Sequence, residues 1–195
     1  MIQTNTRTQQ KGFTLIELLI VIGILAILTA AVVIILNPGE LLKQARDSQR
    51  FSDLDALKNT IALYLTDSQP FSPSVASGTC YVSAASLATT ACSATRSTTA
   101  VAVVNATVLR GVTGPGSGWL PLPFTNITSG SPLQNLPVDP INNATYFYSA
   151  VFDTTNLTFE LDATLESTKY GPKAATDGGN SSTTYEVGSA PGLAL

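Results

Sequence analysis

Histidine is absent from the 195 residues of this chain, and charged residues of either sign are scarce. Without histidine, the chain lacks the side chain that most often serves as a general base or as a metal ligand. Charged residues make up 12% of the sequence, the formal net charge is −3, and no basic tract occurs. Nucleic-acid binding through phosphate neutralisation is therefore not expected. No nucleotide-binding loop and no Ser–His or Cys–His pair is present, so we expect no enzymatic activity.

Cysteine is almost as scarce, since the chain has only Cys80 and Cys92. In an exported domain, two such cysteines most simply form one disulfide that closes a short loop. The alternative is a pair of unrelated free thiols. The choice between them depends on whether this part of the chain is exported.

One long apolar run, from Phe13 to Leu36, contains a single charged residue, Glu17. The 19 residues of 18–36 carry no charge, and at 1.5 Å per residue a helix of this length crosses a hydrocarbon core of about 30 Å. The alternative is the core helix of a soluble protein, but no other part of the chain is apolar enough to surround it. The sequence therefore predicts a transmembrane helix.

The flanks of the run predict its orientation. Arg7 and Lys11 precede it without an acidic residue, which is typical of a cytoplasmic flank, so the rest of the chain is expected outside the cytoplasmic membrane. A cleaved secretory signal would have a shorter apolar region that ends in a small-residue cleavage site. We therefore expect a retained anchor.

The sequence KGFTLIE at residues 11–17 resembles the prepilin processing site of type IV pilins and of the pseudopilins of type II secretion. The resemblance implies that residues 1–12 are a leader, which a prepilin peptidase removes by cutting after Gly12. Phe13 would then be the N-methylated first residue of the mature chain, and Glu17 its fifth residue.

The resemblance also implies a role for Glu17. A carboxylate at mid-bilayer costs about 2.5–3.5 kcal/mol, and less near the interface. In an assembled filament the expected partner of Glu17 is the positive α-amino group of Phe13 in a neighbouring subunit. A subunit out of register would leave the carboxylate buried and unpaired, which costs several kcal/mol. Glu17 is thus expected to set the register of assembly; the alternative is a tolerated interfacial carboxylate.

The resemblance implies a pilin fold of the α+β class, with a long N-terminal helix packed on a small antiparallel sheet. Residues 13–36 form its transmembrane and filament-core half. The Asn-Pro-Gly sequence at 37–39 predicts a kink or a short unwound stretch. An amphipathic helix is expected over 37–67, and its buried face is predicted to include Leu41, Ala45, Ser48, Leu54, Leu57, Ile61, Tyr64 and Leu65.

The globular head is expected over 68–195. Pro70 and Pro73 end the helix, and a variable loop region follows over 68–132, in which 101–109 is a candidate strand. The sequence LPVDP at 136–140 resembles the turn before the sheet in pseudopilins and related bacterial pilins. An antiparallel sheet is expected over 133–195, with strands near 145–152 and 157–166. Alternation in the second strand predicts that Phe159, Leu161, Ala163 and Leu165 point inward and that Glu160, Asp162, Thr164 and Glu166 point outward.

The C-terminal region contains a Gly-rich sequence, ATDGGN, at residues 175–180. In position it resembles the loop that binds calcium in major pseudopilins, which implies Asp177 and Asn180 as calcium ligands. Calcium takes six or more oxygens, and these two side chains with backbone carbonyls supply only part of that number. An ordinary Gly-rich turn without metal is the alternative, and no other cofactor is expected.

These patterns together indicate a structural subunit of a type IV pilus or a related filament. The resemblance implies a homo-oligomeric filament, the lipid bilayer before assembly, and indirect partners in a membrane platform protein and an assembly ATPase. The mature filament would be extracellular or periplasmic. One alternative is a type II secretion pseudopilin; another, of a different class, is a membrane-tethered binding or adhesin module that does not polymerise.

Overall fold

A computed structural model describes residues 12–67, 71–72, 74–85, 92, 102–103, 107–190, 192 and 194–195. Arg7, Lys11, Pro70 and Pro73 lie outside the described residues, as does part of the candidate strand at 101–109. The chain divides into two compact units, Met1–Leu41 and Leu42–Leu195.

Two helices precede a five-stranded sheet. Helix α1 spans Leu15–Leu36 and helix α2 spans Pro38–Asp67. The strands are β1 (Cys80–Val82), β2 (Ala102–Val103), β3 (Tyr148–Asp153), β4 (Thr158–Ala163) and β5 (Tyr185–Gly188), and short 3₁₀ helices span Phe124–Asn126 and Gly171–Ala175. The predicted α+β class is confirmed.

A single residue, Asn37, separates the two helices. Its φ of 41° is in the left-handed region, which asparagine tolerates better than most residues. Its backbone carbonyl accepts a hydrogen bond from the Glu40 N–H at 2.9 Å. Pro38 then opens α2, at a position where the missing N–H costs no helical hydrogen bond. The predicted interruption is thus a one-residue break.

The buried face of α2 differs from the predicted one in its first half. The buried residues are Asp47, Arg50, Leu54, Leu57, Thr60, Ile61, Tyr64 and Leu65. The prediction was therefore correct from Leu54 onward, but it was wrong for Leu41, Ala45 and Ser48, which are exposed. The same helical stripe continues toward the N-terminus through Arg50 and Asp47, whose charges are neutralised by ion pairs.

The sheet has the strand order β2-β1-β3-β4-β5. Strands β1 and β2 are parallel, and the other neighbours are antiparallel. The β3–β4 hairpin turns at Asp153, whose Oδ1 accepts hydrogen bonds from the N–H groups of Thr155 and Asn156. The antiparallel sheet was predicted over 133–195, and β2 lies within the candidate strand at 101–109, whereas β1 comes from the region that the sequence indicated as variable loop.

The two faces of the sheet carry separate apolar clusters. The main core packs the second half of α2 against β3 and β4, through residues such as Leu57, Ile61, Phe152 and Leu161. The smaller cluster contains Cys80, Val82, Ala84, Cys92, Phe147 and Val151. Cys80 and Cys92 form the predicted disulfide.

Arg50 is the centre of a buried ion network. Its Nε and Nη2 donate to the two oxygens of Asp139 at 2.6 and 2.9 Å, and its Nη1 lies 2.8 Å from Asp47 and 2.5 Å from Glu166. Burial lowers the pKa of Arg50, but the hydrogen bonds to Asp139 and the other acids outweigh it and raise the pKa. The network fixes α2 to the turn at 136–140.

Glu166, predicted to point outward, instead belongs to this network. Arg46 binds both of its carboxylate oxygens, at 2.8 and 2.6 Å. These hydrogen bonds lower the pKa of Glu166 below its ordinary value, against an opposing effect of partial burial. A carboxylate with a lowered pKa contributes stability above its unfolded pKa and loses that contribution as the pH falls through its folded pKa.

The melting temperature of Glu166→Gln should therefore differ most from that of the wild type near neutral pH. The variant should melt lower there, because it lacks the charge that Arg46 and Arg50 attract. Below about pH 4.5, where unfolded carboxylates become protonated, the difference should shrink. Circular dichroism melts of both proteins across this range measure it, and a difference that is constant from pH 7 to pH 3 would contradict the prediction.

Candidate processing and assembly site

Residues 12–14, directly before α1, are exposed. Gly12 and Phe13 have no helical or strand structure, and the Phe13 residue is 92% exposed. A Cβ built at Gly12 would meet no atom within 4 Å. The bond between Gly12 and Phe13 is thus accessible to a peptidase, and the fold itself does not require glycine at this position.

Thr14 and Glu17 form a capping box at the start of α1. The Thr14 hydroxyl accepts from the Glu17 N–H at 3.3 Å, and the Thr14 N–H donates to Glu17 Oε2 at 2.8 Å. This arrangement satisfies two backbone donors that a helix N-terminus otherwise leaves unpaired. It also places the carboxylate where the helix dipole favours negative charge.

The capping box uses only one of the two carboxylate oxygens of Glu17. The Thr14 hydroxyl also donates to Oε2, at 2.8 Å, so both donors of Thr14 bind the same carboxylate oxygen. Within the described residues, no donor binds the other oxygen, Oε1. The sequence analysis missed Thr14, although a Thr three residues before a Glu and an apolar run is the sequence pattern of a capping box.

The rest of α1 is an apolar surface on every side. Its segment Leu15–Val33 is long and apolar enough to cross a membrane, and none of it is buried against the described chain. Thr29 bonds to the Leu25 carbonyl at 2.7 Å, so its hydroxyl is satisfied within the helix. Such a surface is suited to lipid or to other apolar helices.

Residues 7–33 match the family model described as the prokaryotic N-terminal methylation motif. The chain carries the leader signature of type IV pilins and pseudopilins. This match covers the accessible Gly12–Phe13 bond, the capping box and most of α1. No curated protein and no solved structure matches the chain. The motif implies processing by a prepilin peptidase and assembly into filaments for pilin-like proteins in general.

The globular head, at residues 68–195, contains a cluster of acidic side chains. One oxygen each of Glu160, Asp162 and Glu186 lies within 4.8 Å of the others. Glu160 and Asp162 were predicted to point outward, but both are buried. Alternation placed them correctly on the face opposite Phe159 and Leu161, but this face is not open to solvent. The smaller apolar cluster lies on it with Leu195 packed against that cluster, and the Leu195 N–H donates to Glu160 Oε2 at 2.9 Å.

Burial makes the carboxyl groups of Glu160 and Glu186 hard to ionise, because it raises the pKa of each. Burial, together with the neighbouring Asp162, raises the pKa of Glu160 to about 9. Burial also raises the pKa of Glu186 to about 7, although a hydrogen bond from the Ser181 N–H opposes the shift. No local sequence pattern predicts this cluster, because Glu186 joins it only through the pairing of β5 with β4.

The structure places Asp177 and Asn180 in a turn beside this cluster. Asp177 Oδ1 accepts from the Gly179 N–H at 2.9 Å, and its Oδ2 accepts from the Glu186 N–H at 2.8 Å. Gly178 has a φ of 94°, a conformation that glycine adopts readily. Asn180 is exposed. The Asp177 carboxylate thus organises a Gly-rich turn, and calcium binding by these two residues remains a prediction.

Proposed function

We propose that this protein is a structural subunit of a type IV pilus or a related filament, with no catalytic role. A prepilin peptidase would remove residues 1–12 on the cytoplasmic side of the membrane, and Phe13 would be N-methylated. The subunit would then leave the bilayer and polymerise through α1, with its head exposed on the filament.

The observation that carries this proposal is the combination of the N-terminal methylation motif with a helix α1 that is apolar on all sides. A helix that is apolar on all sides is stable where lipid or other helices surround it. No part of Leu15–Val33 is buried against the described chain. A lipid bilayer would surround α1 before assembly, and a bundle of identical helices would surround it in the filament. A membrane anchor alone explains the apolar surface, but it does not explain the processing motif that precedes it.

A secretion pseudopilin is the second candidate, and the turn at 136–140 favours it. In this turn Asp139 binds Arg50 of α2 with both oxygens and accepts from the Ile141 N–H at 2.9 Å. The sequence that resembles pseudopilins therefore includes Asp139, which binds the head to α2 through Arg50. Electron microscopy of cells that overproduce the protein separates the candidates, because long surface fibres support a pilus subunit.

Processing is tested by the variant Gly12→Val. The protein from wild-type cells should begin at N-methylated Phe13, whereas the variant should retain its leader, because its bulkier residue precedes the cleaved bond. A Cβ at Gly12 has open space around it, so misfolding is not expected to account for the loss. Intact-mass spectrometry of membrane and filament fractions measures the N-terminus.

Gly23→Ala is the matched control for this experiment. A Cβ at Gly23 also meets no atom within 4 Å, but this residue is well inside α1, so cleavage should be normal. Leader residues that remain attached to assembled wild-type subunits would overturn the proposal.

A further inference from the structure

Strand register forces two acidic residues of the head together. Asp162 of β4 lies directly opposite Glu186 of β5, and Glu160, two residues from Asp162, shares its face of the sheet. Like charges directly opposite each other destabilise a sheet, and burial increases the cost. Glu160 and Glu186 make no ion pair with lysine or arginine in the part of the chain that the structure describes.

Glu186 also has a carboxylate oxygen without a donor. The Ser181 N–H donates to Oε2 at 3.1 Å, on the side where Gly179 packs so closely that a Cβ there would overlap this oxygen. The other oxygen, Oε1, is buried and accepts no hydrogen bond from the described residues. A buried acceptor with no protein donor, beside two further carboxylates, indicates a positively charged ligand.

The spacing of the cluster fits one metal ion. Calcium binds oxygens at 2.3–2.6 Å, so two ligands on opposite sides of it lie about 4.6–5.2 Å apart. The carboxylate oxygens of the cluster lie within 4.8 Å of one another. Each carboxylate supplies one oxygen at this spacing, and backbone carbonyls or a second carboxylate oxygen complete the six to eight ligands that calcium takes. Magnesium usually keeps several bound waters. The three acidic residues are at most 1% exposed, so the site has little room for these waters.

We propose that Glu160, Asp162 and Glu186 bind one calcium ion in the head. The ligands are on strands β4 and β5, and they differ from Asp177 and Asn180, the pair implied by the resemblance. A bound ion joins the two strands, and it orders the C-terminal segment through the hydrogen bond from Leu195 to Glu160. The site does not depend on whether the protein forms filaments.

The test uses the full chain in detergent, freed of metal with a chelator. Calorimetric titration with calcium should show one site per chain. Calcium at a hundred times its Kd should raise the melting temperature by about 5–10 °C. Glu186→Gln keeps the size of the side chain and removes a charge, so it should abolish both signals while melting no lower than the metal-free wild type. Glu160→Gln serves as a second variant and should also abolish them.

Asn180→Ala is the control that separates this site from the loop. Its side chain is exposed and outside the cluster, so calcium should stabilise this variant as it stabilises the wild type. A wild type that does not respond to calcium would overturn the proposal, and would indicate that protons alone compensate the acids. Calcium binding that survives in both glutamine variants, or that is lost only in Asn180→Ala, would also overturn it.

Discussion

Replacing Arg50 with alanine should destabilise the head by about 3–5 kcal/mol, because the change leaves buried carboxylates without their main partner. Asp47 and Asp139 are 0% and 2% exposed, and Arg46 would remain as the only arginine of the network, bound to Glu166 at its edge. For a chain of this size, such a loss lowers the melting temperature by roughly 6–20 °C.

Lys43→Ala is the matched control, since Lys43 is an exposed cation on the same helix. Its effect should stay within about 0.5 kcal/mol. Arg50→Lys should give an intermediate result, because lysine keeps the charge but cannot bind both oxygens of Asp139 in the planar geometry of arginine. Thermal or chemical unfolding of the three variants measures the order, and equal stabilities of Arg50→Ala and Lys43→Ala would contradict the prediction.

The burial of this ion network could not be predicted from the sequence. The i,i+3 pair of Asp47 and Arg50 was visible as a local pair of opposite charges on a helix. Its burial was not, because it depends on Asp139, which is 89 residues from Arg50 in the chain. A charged residue is expected to be exposed unless a partner of opposite charge is known. No local sequence pattern identifies a partner that is 89 residues away.

Features that depend on neighbouring residues were predicted well. The apolar run, the break near Pro38 and the β3–β4 hairpin follow from spacing and turn chemistry within short windows. The acidic cluster shows the limit of this reasoning. Alternation assigned Glu160 and Asp162 to one face of β4, but their burial depends on residues distant in the chain, such as Glu186 and Leu195.

Glu17→Gln should prevent filament assembly while leaving the subunit processed and in the membrane. Glutamine can replace glutamate in a capping box, so the N-terminus of α1 should keep its local hydrogen bonds with Thr14. What the variant lacks is the negative charge that we propose pairs with the α-amino group of Phe13 in the next subunit. Because the α-amino group would then be left without its partner among packed apolar helices, each contact between subunits should weaken enough to prevent assembly.

Thr14→Val provides the opposite change and so separates the two roles of Glu17. It removes the capping hydroxyl, at a cost of about 0.5–2 kcal/mol to the helix end, but it keeps the carboxylate and its charge. If the charge sets the register, Thr14→Val should still assemble and Glu17→Gln should not. Electron microscopy and immunoblots of sheared filaments measure assembly, and membrane immunoblots verify equal amounts of processed subunit. Normal filaments from Glu17→Gln would show that assembly does not need the charge, and a loss in Thr14→Val alone would assign the role of Glu17 to the capping box.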